Sequence, residues 1–262
     1  MKLELLKREA EGDKKGKSIL FIHGMWHGAW CWDEFFMPYF ASGGYDVYAL
    51  SLRGHGRSEG KKGIRWHSIS DYVADVENTI ADIGEDVFLV GHSMGAFITQ
   101  KYLENNKAPG AVLLASAPVK GLIGATLRVA KKFPIHFLKA NFKLSMYEVI
   151  STPDLARETF FSDDIDPALL DKYFSQMEEE SYRAYLDIMM LNLPKPKKVD
   201  TPMLVLAASN DTAISKKDNL KTAAAYHTEV EFFEGMAHDM MLEKEWQLVA
   251  DRIIKWLGEK QK

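Results

Sequence analysis

The stretch that most constrains this chain is Gly91-His92-Ser93-Met94-Gly95. An apolar run, Asp86 to Val90, leads into it, and a helix-like segment, Ala96 to Asn105, follows. Strand, tight turn and helix in that order put a serine on a sharp bend, with its hydroxyl pushed out above a sheet edge. Such a bend forces the residues two before and two after the serine together, and glycine avoids the clash. Ser93 is therefore expected to be a nucleophile. The bland alternative is an ordinary serine in a strand-to-helix turn.

The flanking sequence has the rhythm that such a turn needs. Lys2 to Arg8 alternates like an edge strand, and Ser18–Ile22, Tyr45–Leu50, Ala111–Ala115, Met203–Ala208 and Glu229–Phe233 read as further strands. The continuous apolar runs among them mark strands covered on both faces. Helices are expected over Trp30–Phe40, over Ser70–Ile83 with Ser70 as N-cap, over Ser215–Tyr226 and over Trp246–Leu257. Strands alternating with helices imply an α/β architecture, a mostly parallel doubly wound sheet with right-handed crossovers. From Val119 to Val199 the rhythm breaks into helical segments punctuated by Pro134, Pro153 and Pro167. With 262 residues, one domain with a large insertion fits. The expected organisation is a core of residues 1–118 and 200–262 with a helical cap over 119–199.

A serine hydroxyl needs a base, and the base needs an orienting carboxylate. In a doubly wound sheet the reactive groups gather at the carboxyl ends of strands. Two later strand ends carry such residues: Asp211 follows Met203–Ala208, and His238 follows Glu229–Phe233. Asp200 precedes its strand and Asp218 falls inside the next helix, so Asp211 is the preferred carboxylate. The other seven histidines lie in the turn motifs, in earlier loops, in the insertion or at a strand start, which leaves His238 as the base. A strand that ends in Ile22-His23-Gly24-Met25-Trp26 offers a backbone donor. The oxyanion hole is expected from the N–H groups of Met25 and of Met94, the residue after the nucleophile. Gly24, Trp26 and Met236 near these turns, with Tyr185 and Met189 late in the insertion, are the candidate lining of an apolar acyl pocket.

These residues carry a resemblance. His23-Gly24, the loop Arg53-Gly54-His55-Gly56-Arg57-Ser58, the turn at 91–95, Asp211 and His238 together resemble the α/β-hydrolase superfamily along nearly the whole chain. The insertion occupies the place of that family's variable cap. His23 to Trp32 is similar to the oxyanion turn of plant methylesterases and their hydroxynitrile-lyase relatives. Those lyases typically have threonine after the first histidine and lysine after the catalytic one; Gly24 and Asp239 stand here and favour the esterase side. The loop at 53–58 and the insertion also look like those of monoacylglycerol lipases and lysophospholipases. The resemblance implies a Ser-His-Asp acyl-enzyme mechanism with no cofactor and no metal, a serine carboxylic-ester hydrolase for a small to medium, mainly apolar acyl group. The loop 53–58 looks phosphate-binding in composition but is usually structural in this family. Two other readings stand beside the esterase: a C–C bond hydrolase or lyase on the same triad, and a non-catalytic small-molecule receptor.

Composition narrows the partners. Lys and Arg total 33 against 37 Asp and Glu, a net charge of −4, which argues against a dedicated nucleic-acid binder. Cys31 is alone, so no intrachain disulfide forms, and it reads as a packed thiol. The charged start of the chain lacks an apolar signal core and no run is long enough for a membrane span, so a cytoplasmic location is expected. The first part of the insertion interleaves Lys120, Arg128, Lys131, Lys132, Lys139 and Lys143 with apolar side chains. Such a stretch can make transient contact with a lipid surface; roofing the active site is the favoured use.

Overall fold

The computed structural model describes residues 1–260. Seven strands form one sheet: β1 (Glu4–Arg8), β2 (Ile19–Ile22), β3 (Val47–Ser51), β4 (Phe88–His92), β5 (Ala111–Leu114), β6 (Met203–Ala208) and β7 (Val230–Phe233), in the order β1-β3-β2-β4-β5-β6-β7. Only β1 runs antiparallel, pairing Leu5 with Leu50 and Leu6 with Ala49 of β3. The remaining pairings are parallel, as the apolar runs predict. Every residue of β2, β4, β5 and β6 is buried, the state expected of strands covered by helices on both faces. The strand carrying the Ser93 turn, β4, is central, with β2 on one side and β5 on the other.

Helices α1 (Trp30–Asp33), α2 (Phe36–Ser42), α3 (Ile69–Ile83) and α4 (Met94–Tyr102) precede β5. The aromatic stretch expected as one helix breaks at Phe35, whose φ of −134° is not helical. The break lets Trp32 and Phe36 both pack on Phe21 of β2, with ring centroids 4.8 and 6.2 Å away. Ser68, not Ser70, caps α3. Its side chain takes the Asp71 N–H while Asp71 takes the Ser68 N–H, a capping box that Ser70 could not form with a carboxylate three residues on.

Between β5 and β6 lie α5 (Ile123–Lys132), α6 (Pro134–Lys143), α7 (Pro153–Phe160), α8 (Pro167–Phe174) and α9 (Tyr182–Leu186), with no strand among the described residues. Pro134, Pro153 and Pro167 open α6, α7 and α8, where the missing N–H costs nothing. One π-helical turn, Asp187–Leu191, continues α9. Helices α10 (Lys216–Ala225), capped by Ser215, and α11 (Trp246–Lys260) flank β7. No described helix is long and apolar enough to cross a membrane.

Candidate active site

Ser93 sits between β4 and α4 with φ 51° and ψ −112°, a conformation that L side chains rarely adopt and that a surrounding structure must enforce. Its N–H donates to Leu114 O of β5 at 3.0 Å, and its own carbonyl takes the N–H groups of Phe97 and Ala117. Glycine is required on both sides. A Cβ on Gly91 would meet Gly95 O at 2.5 Å, and one on Gly95 would meet Ile22 O of β2 at 2.1 Å.

Asp211 and His238 come together as the strand ends predict. His238 Nδ1–H donates to Asp211 Oδ2 at 2.7 Å, and both side chains are buried. Asp211 Oδ1 takes the N–H groups of Ala213 and Ile214, each at 2.8 Å. Burial pushes the His238 imidazole down and the Asp211 carboxylate pushes it up; the carboxylate prevails, so His238 titrates above the ordinary value of 6.5. Nδ1 thus carries the proton and Nε2 is left as the basic nitrogen. Ser93 and His238 line the same cavity.

A second histidine holds the His238 loop. His92 Nε2–H donates to His238 O at 3.0 Å. Burial, reinforced by the His238 ring, drives His92 down to about 3, so it is neutral. Its Nδ1 has no hydrogen-bond partner and lies directly beneath Gly24, where a Cβ would stand 2.8 Å away. Gly24 is therefore a packing necessity under the site and does not line the cavity. His23, whose Nε2 accepts Leu52 N–H at 3.0 Å while Nδ1–H reaches Gly24 O at 2.8 Å, is held neutral by burial.

The turn beyond His23 brings Met25 and Trp26 to the cavity wall. Met94 opens α4, so its N–H has no acceptor within the helix, and Met25 N–H makes no hydrogen bond among the described residues. Both residues line the cavity that Ser93 lines.

The cavity encloses about 340 Å³, within the range of small-molecule sites. Leu122, Val129, Phe133, Phe137, Met146, Val149 and Ile188 give it an apolar wall drawn from the segment between β5 and β6, and Phe160, Ala213 and Ile214 complete it. Charge enters at Arg128, Lys132 and Glu158. Arg128 donates to Ala213 O, and Lys132 pairs with Glu158. Of the expected pocket residues, Trp26 and Tyr185 line the cavity, whereas Met189 and Met236 do not. The π-helical turn inserts an extra residue per turn and carries Ile188 inward in place of Met189. Met236 is buried in the core, with its carbonyl taking Asn210 N–H.

Sequence reasoning overlooked two buried histidine–carboxylate pairs. His27 Nε2 meets Asp239 Oδ2 at 2.9 Å, and His55 Nε2 meets Glu180 Oε2 at 3.1 Å. The rest of the loop 53–58 is also committed to structure, with Arg53 on Asp71 and Asp75 and Arg57 on Glu4. Cys31 is fully buried, and burial together with Asp239 holds its thiol well above the usual range, as a packed group and no nucleophile. His92, His238 and Asp239 bring ligand atoms within 4.8 Å of one another. Of these rings, His92 Nε2 and His238 Nδ1 are engaged by the His238 carbonyl and the Asp211 carboxylate.

The family Hydrolase_4, described as serine aminopeptidase S33, matches residues 13–245. Norfluorocurarine synthase 1 of Strychnos nux-vomica is 36% identical over 112 residues, 41% of each chain, so the match spans about two fifths of that relative's length. Phospholipase YtpA of Bacillus subtilis is 25% identical over 246 residues, covering 90% of this chain and 92% of the relative. The crystal structure of Paleococcus ferrophilus monoacylglycerol lipase superposes with a TM-score of 0.74 at 20% identity, covering 99% of this chain and 100% of that one, a likeness of fold.

Proposed function

Because the chain belongs to the α/β-hydrolase family Hydrolase_4, we propose that it is a serine hydrolase of carboxylic esters carrying a small to medium, mainly apolar acyl group. The observation that carries this reading is the single cavity shared by Ser93, His238, Met25 and Met94. Ser93, His238 held by Asp211, and the two residues whose N–H groups are the candidate oxyanion donors all line one apolar chamber. His238 takes the Ser93 proton as Oγ bonds to the acyl carbon. The N–H groups of Met25 and Met94 hold the oxyanion, and His238 returns the proton to the departing alcohol. Water, giving its proton to His238, then attacks the acyl carbon; as the acyl–Oγ bond breaks His238 returns that proton to Ser93 Oγ, and the acid is released. No step calls for a cofactor.

The family's description names an aminopeptidase, which would need a free carboxylate for the substrate ammonium. Glu158, the carboxylate lining the cavity, is paired with Lys132, which favours an ester with an apolar acyl chain. The similarity to a phospholipase over most of both chains also supports an ester of a lipid type. For a C–C hydrolase or lyase the site offers less: Asp239 stands where those lyases have lysine, and a side chain at position 24 would collide with His92. We assign residues 1–118 and 200–262 to a core domain and 119–199 to a cap. The cap's inner side contributes to the cavity wall; its outer side carries Leu127, Leu138 and Phe142 exposed among lysines. Charge complementarity suits that side to transient contact with an anionic lipid surface.

The test is turnover of p-nitrophenyl esters from acetate to laurate, with Ser93→Ala as control and labelling of Ser93 by a fluorophosphonate. Turnover that vanishes in Ser93→Ala supports the esterase. No turnover with no labelling sinks it and leaves a small-molecule receptor.

A further inference from the structure

The peptide group between Met25 and Trp26 is gripped at both ends by buried side chains. Its carbonyl oxygen takes His27 Nδ1–H at 2.7 Å, and its N–H, that of Trp26, donates to Glu180 Oε2 at 3.3 Å. Each grip is backed by a partner from a distant part of the chain. His27 Nε2 faces Asp239 Oδ2 at 2.9 Å, and Glu180 Oε2 faces His55 Nε2 at 3.1 Å. All four side chains are buried.

The donor count is specific. A carbonyl oxygen only accepts, and so does an ionised carboxylate. His27 lies between Met25 O and Asp239, and His55 between Arg53 O and Glu180. Each ring nitrogen therefore faces an oxygen, so each histidine bridges a backbone carbonyl and a buried carboxylate. Glu180 is surrounded by donors alone: Trp26 N–H, His55 Nε2–H, Tyr72 O–H at 2.9 Å and Ser181 N–H at 2.6 Å. A carboxamide would turn its NH2 against at least one of them. Burial opposes charge on Asp239, and His27 more than restores it, leaving its carboxyl below the usual range.

The grip has something to hold. Trp26 has φ 65°, a left-handed conformation that is unfavourable for a residue with a side chain and must be held by its surroundings. A third bond, Glu178 N–H to Trp26 O at 2.9 Å, closes on the same residue. The 25–26 peptide plane and the one carrying the Met25 N–H meet at the Met25 Cα, so fixing the first leaves only the Met25 dihedrals to set the second.

We propose that His27–Asp239 and His55–Glu180 are positioning pairs that clamp the Met25–Trp26 peptide and thereby aim the Met25 N–H at the oxyanion. The proposal rests on the esterase reading for its consequence, though not for its geometry. The pairs touch no substrate; they act through the turn.

The variant His27→Phe/Asp239→Asn keeps a ring and leaves no unpaired buried charge, but removes the donor to Met25 O. Asp239→Asn alone keeps that donor, because the asparagine amide can donate to His27 Nε2. Rates are taken per active site, counted by fluorophosphonate titration, and paired with the affinity of an alkyl boronic acid that forms a tetrahedral adduct on Ser93. The double variant is expected to lose roughly ten- to hundredfold in kcat and in boronate affinity, a fraction of the loss from deleting an oxyanion donor, with KM moved less than about threefold. Asp239→Asn alone recovers most of that loss. A double variant with per-site kcat and boronate affinity like those of Asp239→Asn overturns the proposal, as does a fall in active-site count with an intact per-site rate. Hydrogen exchange of the Trp26 amide reads the clamp without any turnover. Exchange at least tenfold faster in Glu180→Gln supports it, and unchanged exchange overturns it even should the wild type hydrolyse no ester.

Discussion

Asp211 holds His238 with one carboxylate oxygen and is itself held by the other: Oδ2 lies 2.7 Å from Nδ1, while Oδ1 takes the N–H groups of Ala213 and Ile214. A carboxylate anchored in this way cannot swing off its histidine, so the imidazole is fixed in one tautomer with Nε2 toward the cavity.

The proposed mechanism predicts a rate–pH profile from that contact. As its base His238 would have to be neutral, and Asp211 raises it above 6.5 against the pull of burial. The ascending limb of kcat/KM is therefore expected to have its midpoint above pH 6.5. Asp211→Asn should move the limb toward acid and lower kcat by roughly a thousand- to ten-thousandfold, through the wrong tautomer. A limb that stays in place in Asp211→Asn would contradict the assignment.

On the proposed esterase reading, the cavity wall sets an acyl-chain preference. A buried methylene contributes about 0.8 kcal/mol, so kcat/KM should climb about fourfold per methylene until the 340 Å³ are filled. Ala125→Phe puts a ring into that space from α5 and should flatten the climb. A wild-type series with no dependence on chain length would speak against an acyl chamber.

Contact with a lipid surface is checked by sedimentation with vesicles. Leu127 is 65% and Phe142 92% exposed, and Lys131 and Lys139 lie on the same two helices. A lysine near an anionic surface contributes about 1 kcal/mol. Lys131→Glu/Lys139→Glu should cut binding to phosphatidylserine-containing vesicles and spare soluble-ester turnover. Equal vesicle binding by variant and wild type rules the contact out. Lys132 is left alone in this test because it pairs with Glu158 at the cavity.

Stability should peak near the ordinary imidazole value. His23 and His92 are lowered by burial, so the unfolded chain binds more protons than the folded one below pH 6.5. Stability is then lost as pH falls, by up to about 1.4 kcal/mol per unit for each such group. His55 is pushed down by burial and raised above 6.5 by Glu180, and His238 is likewise raised. Their contributions are complete below pH 6.5 and fade as pH rises through the raised values. Urea unfolding at pH 4.5, 6.5 and 8.5 should give the highest midpoint at the middle pH, and a monotonic trend would contradict the balance.

The parts legible in the sequence are those with a local signal. The apolar run Met203–Ala208 was expected as a strand and is one with the same bounds. Asp211 and His238 are legible because each stands at the end of a late strand, a position that topology delivers to the sheet edge. His27 and Asp239 stand 212 residues apart, and His55 and Glu180 stand 125 apart; no periodicity links such partners. In the sequence Asp239 stands out only as a residue that is not lysine. The helix N-cap moved from Ser70 to Ser68 because reciprocal bonding with Asp71 outweighs the mere presence of a hydroxyl. Met189 lost its place to Ile188 because a π-helical turn shifts which side chains share a face.

No residue of α5 is buried, yet α5 supplies Leu122's neighbours Ala125, Thr126 and Val129 to the chamber wall. Gly91 and Gly95 have no such latitude, since any side chain there meets backbone. On the proposed reading, selectivity and folding are entrusted to different residues. A lineage carrying this scaffold could then change what it admits by substitution along one surface helix, at little cost to stability, while the proposed catalytic residues stay where the sheet holds them.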